Sequence, residues 1–454
     1  LGGGLGTMHN IDSSSTSRRF QNVAKLLAPR AVLFALVAFA ALVGALEPLD
    51  LALMGLRFRL IQKEPSETLS VVAIDPQSLR EEERWPWPRD RYAKAVANLQ
   101  DAGAELVGFD VDFSSLADEA GDAAFAEALS ARPGEIVLPV FAQWTTVSGS
   151  RRALVETPPN AKFLQDTIVA SVNQTTESNG IARRAWRGIM AEDGYRASMA
   201  ATLADYSERR EDMFYIDYSI PPSKIRRISF RDVLNNTFPE DAVKGKKVLV
   251  GATALELGDE FAAPVYGLIS GVYLHALSYE SMVQGRTLAR PNLILQLAFA
   301  LSVLVFFCPS GKIKNWRRAV GVHVAVFGAM IGAPIAIQYL TPISFDVGAM
   351  LAAQILCLIY VGGRGFNRRA IELIRQRAET ARFQALTSLV VQDNSDGIIV
   401  TDKDGLIELC NDRARELLGV DRYALRGEKI QSVAEEFPVF GEMQSAALKR
   451  DDVV

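Results

Sequence analysis

The sequence predicts three structural classes in one chain: an α/β domain outside the cytoplasm, an α-helical membrane bundle of four spans, and the start of a second, smaller α+β domain. Three observations carry this. Long uncharged runs are flanked by Lys and Arg, the block between the first two runs alternates β-branched with helical segments, and an Asp-Gly turn joins two apolar runs near the chain end.

Composition sets the bounds. A chain of 454 residues is long enough for two or three domains. With 49% hydrophobic and 22% charged residues and a slightly positive mean hydropathy, it lies outside the disordered class. Forty-nine Lys and Arg against 53 Asp and Glu give a net charge of -4, so no basic field argues for nucleic acid. The three cysteines, Cys308, Cys357 and Cys410, are too few and scattered for a disulfide framework or a cysteine zinc site. Residues 1–7 (LGGGLGT), ahead of Met8, read as an upstream extension and are set aside.

The first uncharged run, Ala31 to Leu46, has 16 residues; extended through Pro29 it gives a span over 29–46 behind a cytoplasmic segment, 1–28. Its basic leader and small residues near Gly44 also suit a cleaved signal peptide, which leaves the remaining topology unchanged. Uncharged runs of 21 residues after Arg290, 27 after Arg318 and 17 from Val347 to Gly363 predict spans over 291–310, 319–340 and 343–363. Arg18, Arg19, Lys25 and Arg30 precede the first span. Lys312, Lys314, Arg317 and Arg318 fill the second-to-third loop, Arg364, Arg368 and Arg369 follow the last, and the loop at 341–346 has no basic residue. The positive-inside rule then puts the N-terminus, the 311–318 loop and the C-terminal region in the cytoplasm. His323, inside a span, is expected to serve helix packing.

This leaves 47–290 outside as one block, with 27 Lys and Arg against 35 Asp and Glu, a net of -8, and no cysteine. Strands are predicted at 70–74, 105–113, 135–140, 167–172, 213–218 and 247–251, with helices at 90–102, 122–129 and 271–284. Such alternation predicts a largely parallel sheet.

Four phrases in this block, AIDPQSL (73–79), WPWPRDRYAKAVANLQDAGAELVGFDVDF (85–113), GKKVLVGATALELGDEFAAP (245–264) and GVYLHALSYESMVQGR (271–286), resemble the type-two CHASE domain in content and order. The resemblance implies an extracytoplasmic sensory module of a bacterial inner-membrane receptor, followed by three membrane helices. It departs at Ser270, where the family has Pro. The family's ligands are mostly undefined, so the resemblance supplies role and topology without chemistry.

From 364 to 391 the chain reads as a linker helix in which Ile371, Ile374, Ala378, Ala381 and Ala385 follow heptad spacing, suited to pairing in a homodimer or to a solvated helix. Beyond it, GIIVT, the turn DKDG, LIELC and a helix from Asn411 open a β-turn-β-α unit. DNSDGIIVTDKDGLIELCNDRARELLG (393–419) resembles the opening of a PAS domain, so 392–454 reads as the N-terminal part of one, with the chain stopping in mid-domain. The resemblances imply an output enzyme farther on: a histidine kinase, a cyclic-di-GMP synthase or phosphodiesterase or, less in keeping, an adenylate cyclase.

No residue is read as catalytic. Gly245 and Lys246 precede their strand and the GAT after it lacks Lys, so no phosphate loop forms. Only His9, His275 and His323 exist, which allows no multi-histidine metal centre, and no cofactor is expected. The candidate ligand-binding residues are Asp75, Asp110 and Asp112 at strand ends, Trp85, Trp87 and Arg89 as an aromatic-guanidinium cage, Arg183 and Asp259 in loops, and His275 early in a helix. Each has a structural reading beside it: turn capping for the acids, a stiff buried helix start for the tryptophans, a hydrogen-bonding role for the histidine. The partners expected are the lipid bilayer, an extracytoplasmic small molecule or protein signal, and a second copy of the chain, with no nucleic acid. A membrane-anchored periplasmic hydrolase is the alternative, and it predicts turnover lost with Asp110 or His275. A transporter is disfavoured, since the uncharged runs within the spans carry no Asp, Glu, Lys or Arg for an ion pathway.

Overall fold

The computed structural model describes residues 13–81, 85–147, 151–191, 194–308, 316–392, 396–420, 425 and 427–436. The chain divides into two compact units, Leu1–Ile359 and Tyr360–Val454. Its architecture is mixed α/β.

In the first unit, helices α1 (Ser13–Leu42) and α2 (Glu47–Leu60) lead into a seven-stranded sheet. Its strands are β1 (Leu69–Ile74), β2 (Leu106–Asp110), β3 (Ile136–Val147), β4 (Arg151–Thr157), β5 (Ile168–Ser171), β6 (Arg226–Ser229) and β7 (Lys247–Ala252). They lie in the order β6-β1-β7-β2-β3-β4, with β5 also on β3, and every pair except β3–β4 is parallel. Both faces are covered. Val71, Leu249 and Val137 point into one apolar layer with Leu274 and Leu277 of α5 (Gly271–Val283). Val72, Ile74, Phe109 and Val250 point into the other, against Tyr92, Val96 and Leu99 of α3 (Arg89–Asp101) and Phe125 and Leu129 of α4 (Glu119–Ser130). Burial on both faces is why these strands read as unbroken apolar runs.

The strand predicted over 105–113 ends at Asp110, because the following backbone has other partners. The Asp112 carboxylate accepts the Ser114 N–H (2.8 Å), and Arg89 donates to the carbonyls of Asp112 and Ser115 (both 3.2 Å). The strand predicted over 135–140 continues to Val147, since Phe141–Val147 pair antiparallel with β4. Helix α4 starts where Asp118 accepts the Gly121 N–H (2.7 Å). Asp118→Ala is expected to cost about 1 kcal/mol, read from the denaturation midpoint of the detergent-solubilised chain.

After α5 come α6 (Leu293–Phe307), α7 (Trp316–Leu340) and α8 (Gly348–Gln392). Only Arg317–Leu340 is, as a single helix among the described residues, long and apolar enough to cross a bilayer. Leu27–Leu42 and Glu47–Leu60, bent by 75°, make a second if they form one broken span, and Leu293–Phe307 and Gly348–Gly363 are shorter apolar helices. Helix length and apolarity thus support one or two of the four predicted spans. The uncharged runs overstate the helices for local reasons. Asn292 caps Leu295 N–H (3.0 Å), the backbone turns extended at Cys308, and Asp50 accepts the N–H groups of Val347 (3.0 Å) and Gly348 (2.7 Å), fixing the start of α8. His323 is buried in α7, 2.8 Å from the Gln354 amide of α8, the packing role expected of it.

In the second unit α8 continues to Gln392, exposing Ile371, Ile374, Ala378 and Ala381; the side chain of Ala385 lies outside the described residues. Strands β8 (Ile399–Thr401) and β9 (Ile407–Cys410) form the predicted hairpin, with Asp402 accepting the N–H groups of Asp404 and Leu406. Asn411 caps α9 (Asp412–Leu418), accepting from Ala414 N–H (2.9 Å) and donating to the Asp396 carbonyl (2.8 Å). Ile407, Leu425 and Val433 form a small core. Residues 437–454 of the predicted PAS part, 311–315 of the basic loop and 1–12 of the N-terminal segment lie outside the described residues.

Candidate functional site

At the carboxyl edge of the sheet, β2 ends on Asp110, whose register partner on β7 is Gly251. A Cβ on Gly251 would sit 2.8 Å from the Val272 side chain, so glycine lets the start of α5 close onto the strand end. A Cβ on Gly271 would sit 2.4 Å from the Asp259 carboxylate, and the Gly271 N–H donates to the Asp259 carbonyl (3.0 Å). The two glycines therefore allow Asp110, Asp259 and, one turn into α5, His275 to converge. They line a cavity of about 230 Å³, with Phe141, Ala142 and Gln143 of β3, Val172, Asn173 and Gln174 beyond β5, and Phe261. Open α/β sheets place ligands in crevices of this kind, outside the carboxyl ends of their strands.

Desolvation dominates the electrostatics. Burial pushes the Asp110 carboxyl up to about 7. Burial, joined by the Asp110 charge, raises Asp259 to about 6, with His275 and hydrogen bonding from Gly271 pulling the other way. Burial lowers His275 to about 4, against the Asp259 charge and a hydrogen bond at Val172. His275 is therefore neutral near pH 7. Its Nε2 lies 3.7 Å from the Asp110 carboxylate, too far for a hydrogen bond, while the Gln174 amide lies 3.1 Å from both ring nitrogens. Asn173 is spent on the wall, accepting the Ala142 N–H (2.7 Å) and donating back to the Ala142 carbonyl. The lining residues include perturbed acids and a neutral imidazole, with no hydroxyl, thiol or amine nucleophile among those described. Nor is any group of three or more His, Cys, Asp or Glu arranged to hold a metal ion among the described residues.

Three of the nine candidate residues, Asp110, Asp259 and His275, thus meet in one cavity; the other six lie elsewhere with structural partners. Asp75 accepts from Ser78 N–H and Oγ (2.9 and 2.8 Å), Ser229 Oγ (3.1 Å) and Arg227 (2.8 Å). Burial works to raise its pKa, but these hydrogen bonds outweigh burial and hold it below the ordinary value. Trp87 is buried, stacked on Phe230 (4.9 Å), and only Trp85 faces out, edge-on to it. Arg89 lies over the Phe113 ring (4.8 Å) and Asp112 caps Ser114, so no open cage forms. Arg183 is paired with Glu177 (2.5 Å).

A second polar cluster, unseen in the sequence, ties the domain to the apolar helices. Arg286, just past α5, donates to Asp217 and to the Gln338 carbonyl (2.7 Å) at the end of α7. Arg290 pairs with Asp346 (2.8 Å), two residues before α8, and Arg57 of α2 donates to Gln338 (2.8 Å) and Ser344 (3.0 Å). The one available signal was Asp346, a lone acid between two uncharged runs.

Comparison with known families gives two matches: the CHASE2 domain over residues 31–310 and a PAS domain over residues 381–450. The first covers more than half of the chain and takes in flanking helices that the four phrases did not reach. No curated protein and no solved structure matches.

Proposed function

The chain belongs to the CHASE2 domain family, and from that premise we propose that it is the receiving part of a bacterial transmembrane receptor. With its CHASE2 and PAS domains it is a sensory signalling protein. In the finer reading, residues 47–290 face the periplasm and bind a signal in the Asp110 cavity. The four apolar segments cross the inner membrane, α8 leads to a cytoplasmic PAS domain, and the output enzyme, a histidine kinase or a cyclic-di-GMP synthase or phosphodiesterase, lies farther along the polypeptide.

One observation carries the reading: a single helix, α5, has the cavity at one end and the arginine cluster at the other. Gly271 and His275 line the cavity, and beyond the last turn Arg286 and Arg290 hold the end of α7 and the residue pair leading into α8. A shift of α5 on ligand binding therefore acts on the helix that continues to Gln392. The ligand must bind two arrangements of that joint unequally, because equal affinity shifts nothing. The exposed stripe of Ile371, Ile374, Ala378 and Ala381, with Ala385 next in the heptad, suits pairing with a second copy. The apolar side chains exposed on α1, α6 and α7, among them Phe39, Phe306 and Leu340, suit contact with lipid.

Single cysteines placed at exposed Leu255 and Ile374 test the topology, with Cys410 replaced by Ser. A membrane-impermeant maleimide is expected to label Leu255→Cys once the outer membrane is permeabilised, and Ile374→Cys only after the inner membrane is broken. Labelling of both before lysis sinks the receptor reading.

A further inference from the structure

We propose that the Asp110 cavity is a site for a small organic cation, a protonated amine, held by the carboxylates of Asp110 and Asp259. The proposal rests on the receptor reading of this cavity and names the class of its signal.

The argument begins with an unmet acceptor. The Asp110 side chain is only 10% exposed, lines the cavity, and accepts no hydrogen bond from the described residues; the His275 ring lies 3.7 Å away. Buried carboxylates are normally paired or hydrogen-bonded. Asp259 brings a second carboxylate to the same space, and no Lys or Arg is among the lining residues. His275 does not supply the missing charge, since it is neutral near pH 7. The Asn173 amide is closed on the Ala142 backbone and the Gln174 Nε2 faces the His275 ring, so the charged acceptors open to a ligand are the two carboxylates, with the Gln143 and Gln174 amide oxygens as neutral acceptors beside them.

A group that donates N–H bonds and carries positive charge satisfies both at once, through charge-assisted hydrogen bonds. An anionic ligand meets repulsion instead. Phe141 and Phe261 give the cavity an apolar wall suited to a short alkyl body. At about 230 Å³ it lies below the ordinary drug-sized pocket and suits a ligand of a few heavy atoms.

The experiment is a calorimetric titration of the full chain in nanodiscs with methylammonium, ethylenediamine and putrescine. Acetate, succinate, magnesium and calcium are the comparators at matched ionic strength. Saturable binding of at least one amine is expected, weakened about tenfold or more in Asp110→Asn and in Asp259→Asn. Because the carboxyls must release protons to pair with the cation, and Asp110, Asp259 and His275 are the titratable groups lining the cavity, binding is expected to tighten from about pH 5 to about pH 8. Binding of no amine overturns the proposal, as does amine binding that both variants retain. Binding of a carboxylate or divalent ion alone, lost in the variants, overturns the amine class and keeps the cavity as a ligand site. The cysteine labelling decides the receptor reading separately, whichever ligand binds.

Discussion

Arg286→Met is expected to destabilise the chain by about 3–5 kcal/mol, the usual cost of breaking one half of a buried ion pair. The Asp217 side chain is fully buried and that of Arg286 is 8% exposed, with Nε to Oδ2 at 2.5 Å. Asp217 also accepts the Ser219 N–H (3.0 Å), so its position is fixed by its own turn and it cannot swing out to water when the guanidinium is lost. The substitution also frees the Gln338 carbonyl that Arg286 holds at 2.7 Å. The measurement is equilibrium denaturation in detergent micelles, with Asp217→Asn and the double variant completing a cycle. The double variant is expected to be more stable than the sum of the single losses implies, because it removes the stranded charge as well. A loss below about 1 kcal/mol would mean that the arginine's own desolvation cancels its pairing, and that this joint does not hold α5 to the end of α7 as described above.

How much of this was legible in the sequence depends on the range of the forces involved. The parallel sheet was legible because burial on both faces leaves runs such as Ser70–Ile74 and Lys247–Gly251 with a local signature. The short strands Arg184–Trp186, Gly188–Ala191 and Gly194–Ala197 were not, since three or four residues carry no period and their pairing comes from tertiary context. In the candidate site, each of Asp110, Asp259 and His275 was visible as a polar residue at an element end. Nothing local distinguished them from Asp75 and Asp112, which have the same chemistry as the two acids and similar positions, or from the polar Arg89 at a helix start. The difference is partnership: Asp75 has four donors, whereas Asp110 has none among the described residues. That depends on Ser229 and Arg227 being more than 150 residues from Asp75 in sequence and adjacent in space. Gly251 and Gly271 carried a usable hint, since a glycine at a strand end and another at a helix start mark close approach. The arginine joint was invisible for the same long-range reason: Arg57 and Gln338 are 281 positions apart.

Asp110→Asn is expected to do the reverse of Arg286→Met and stabilise the ligand-free chain, by an amount that grows with pH. Burial raises the folded-state pKa of Asp110 to about 7 from an ordinary 3.8. Below the lower value the acid is protonated in both folded and unfolded chains, and asparagine is close to neutral in effect. As pH rises through the interval, the unfolded chain ionises freely while the folded one is held protonated, and stability falls until the folded group also ionises near pH 7. About three pKa units set an upper limit of about 4 kcal/mol on the loss. Asp259, raised to about 6, adds in the same direction. His275 acts oppositely: its pKa is lowered to about 4, so its contribution is complete above about 6.5 and declines as the pH falls toward 4. Thermal unfolding of wild type and Asp110→Asn from about pH 4 to about pH 9 is expected to give curves that meet on the acid side, where His275 governs both, and separate toward the alkaline side. Curves that stay parallel would show that the carboxylate already has a partner. A cation bound at Asp110 removes the same penalty, so the pH range in which the empty protein is strained is the range in which an amine binds most tightly, and a stabilising Asp110→Asn that also abolishes amine binding would show one unpaired charge behind both effects.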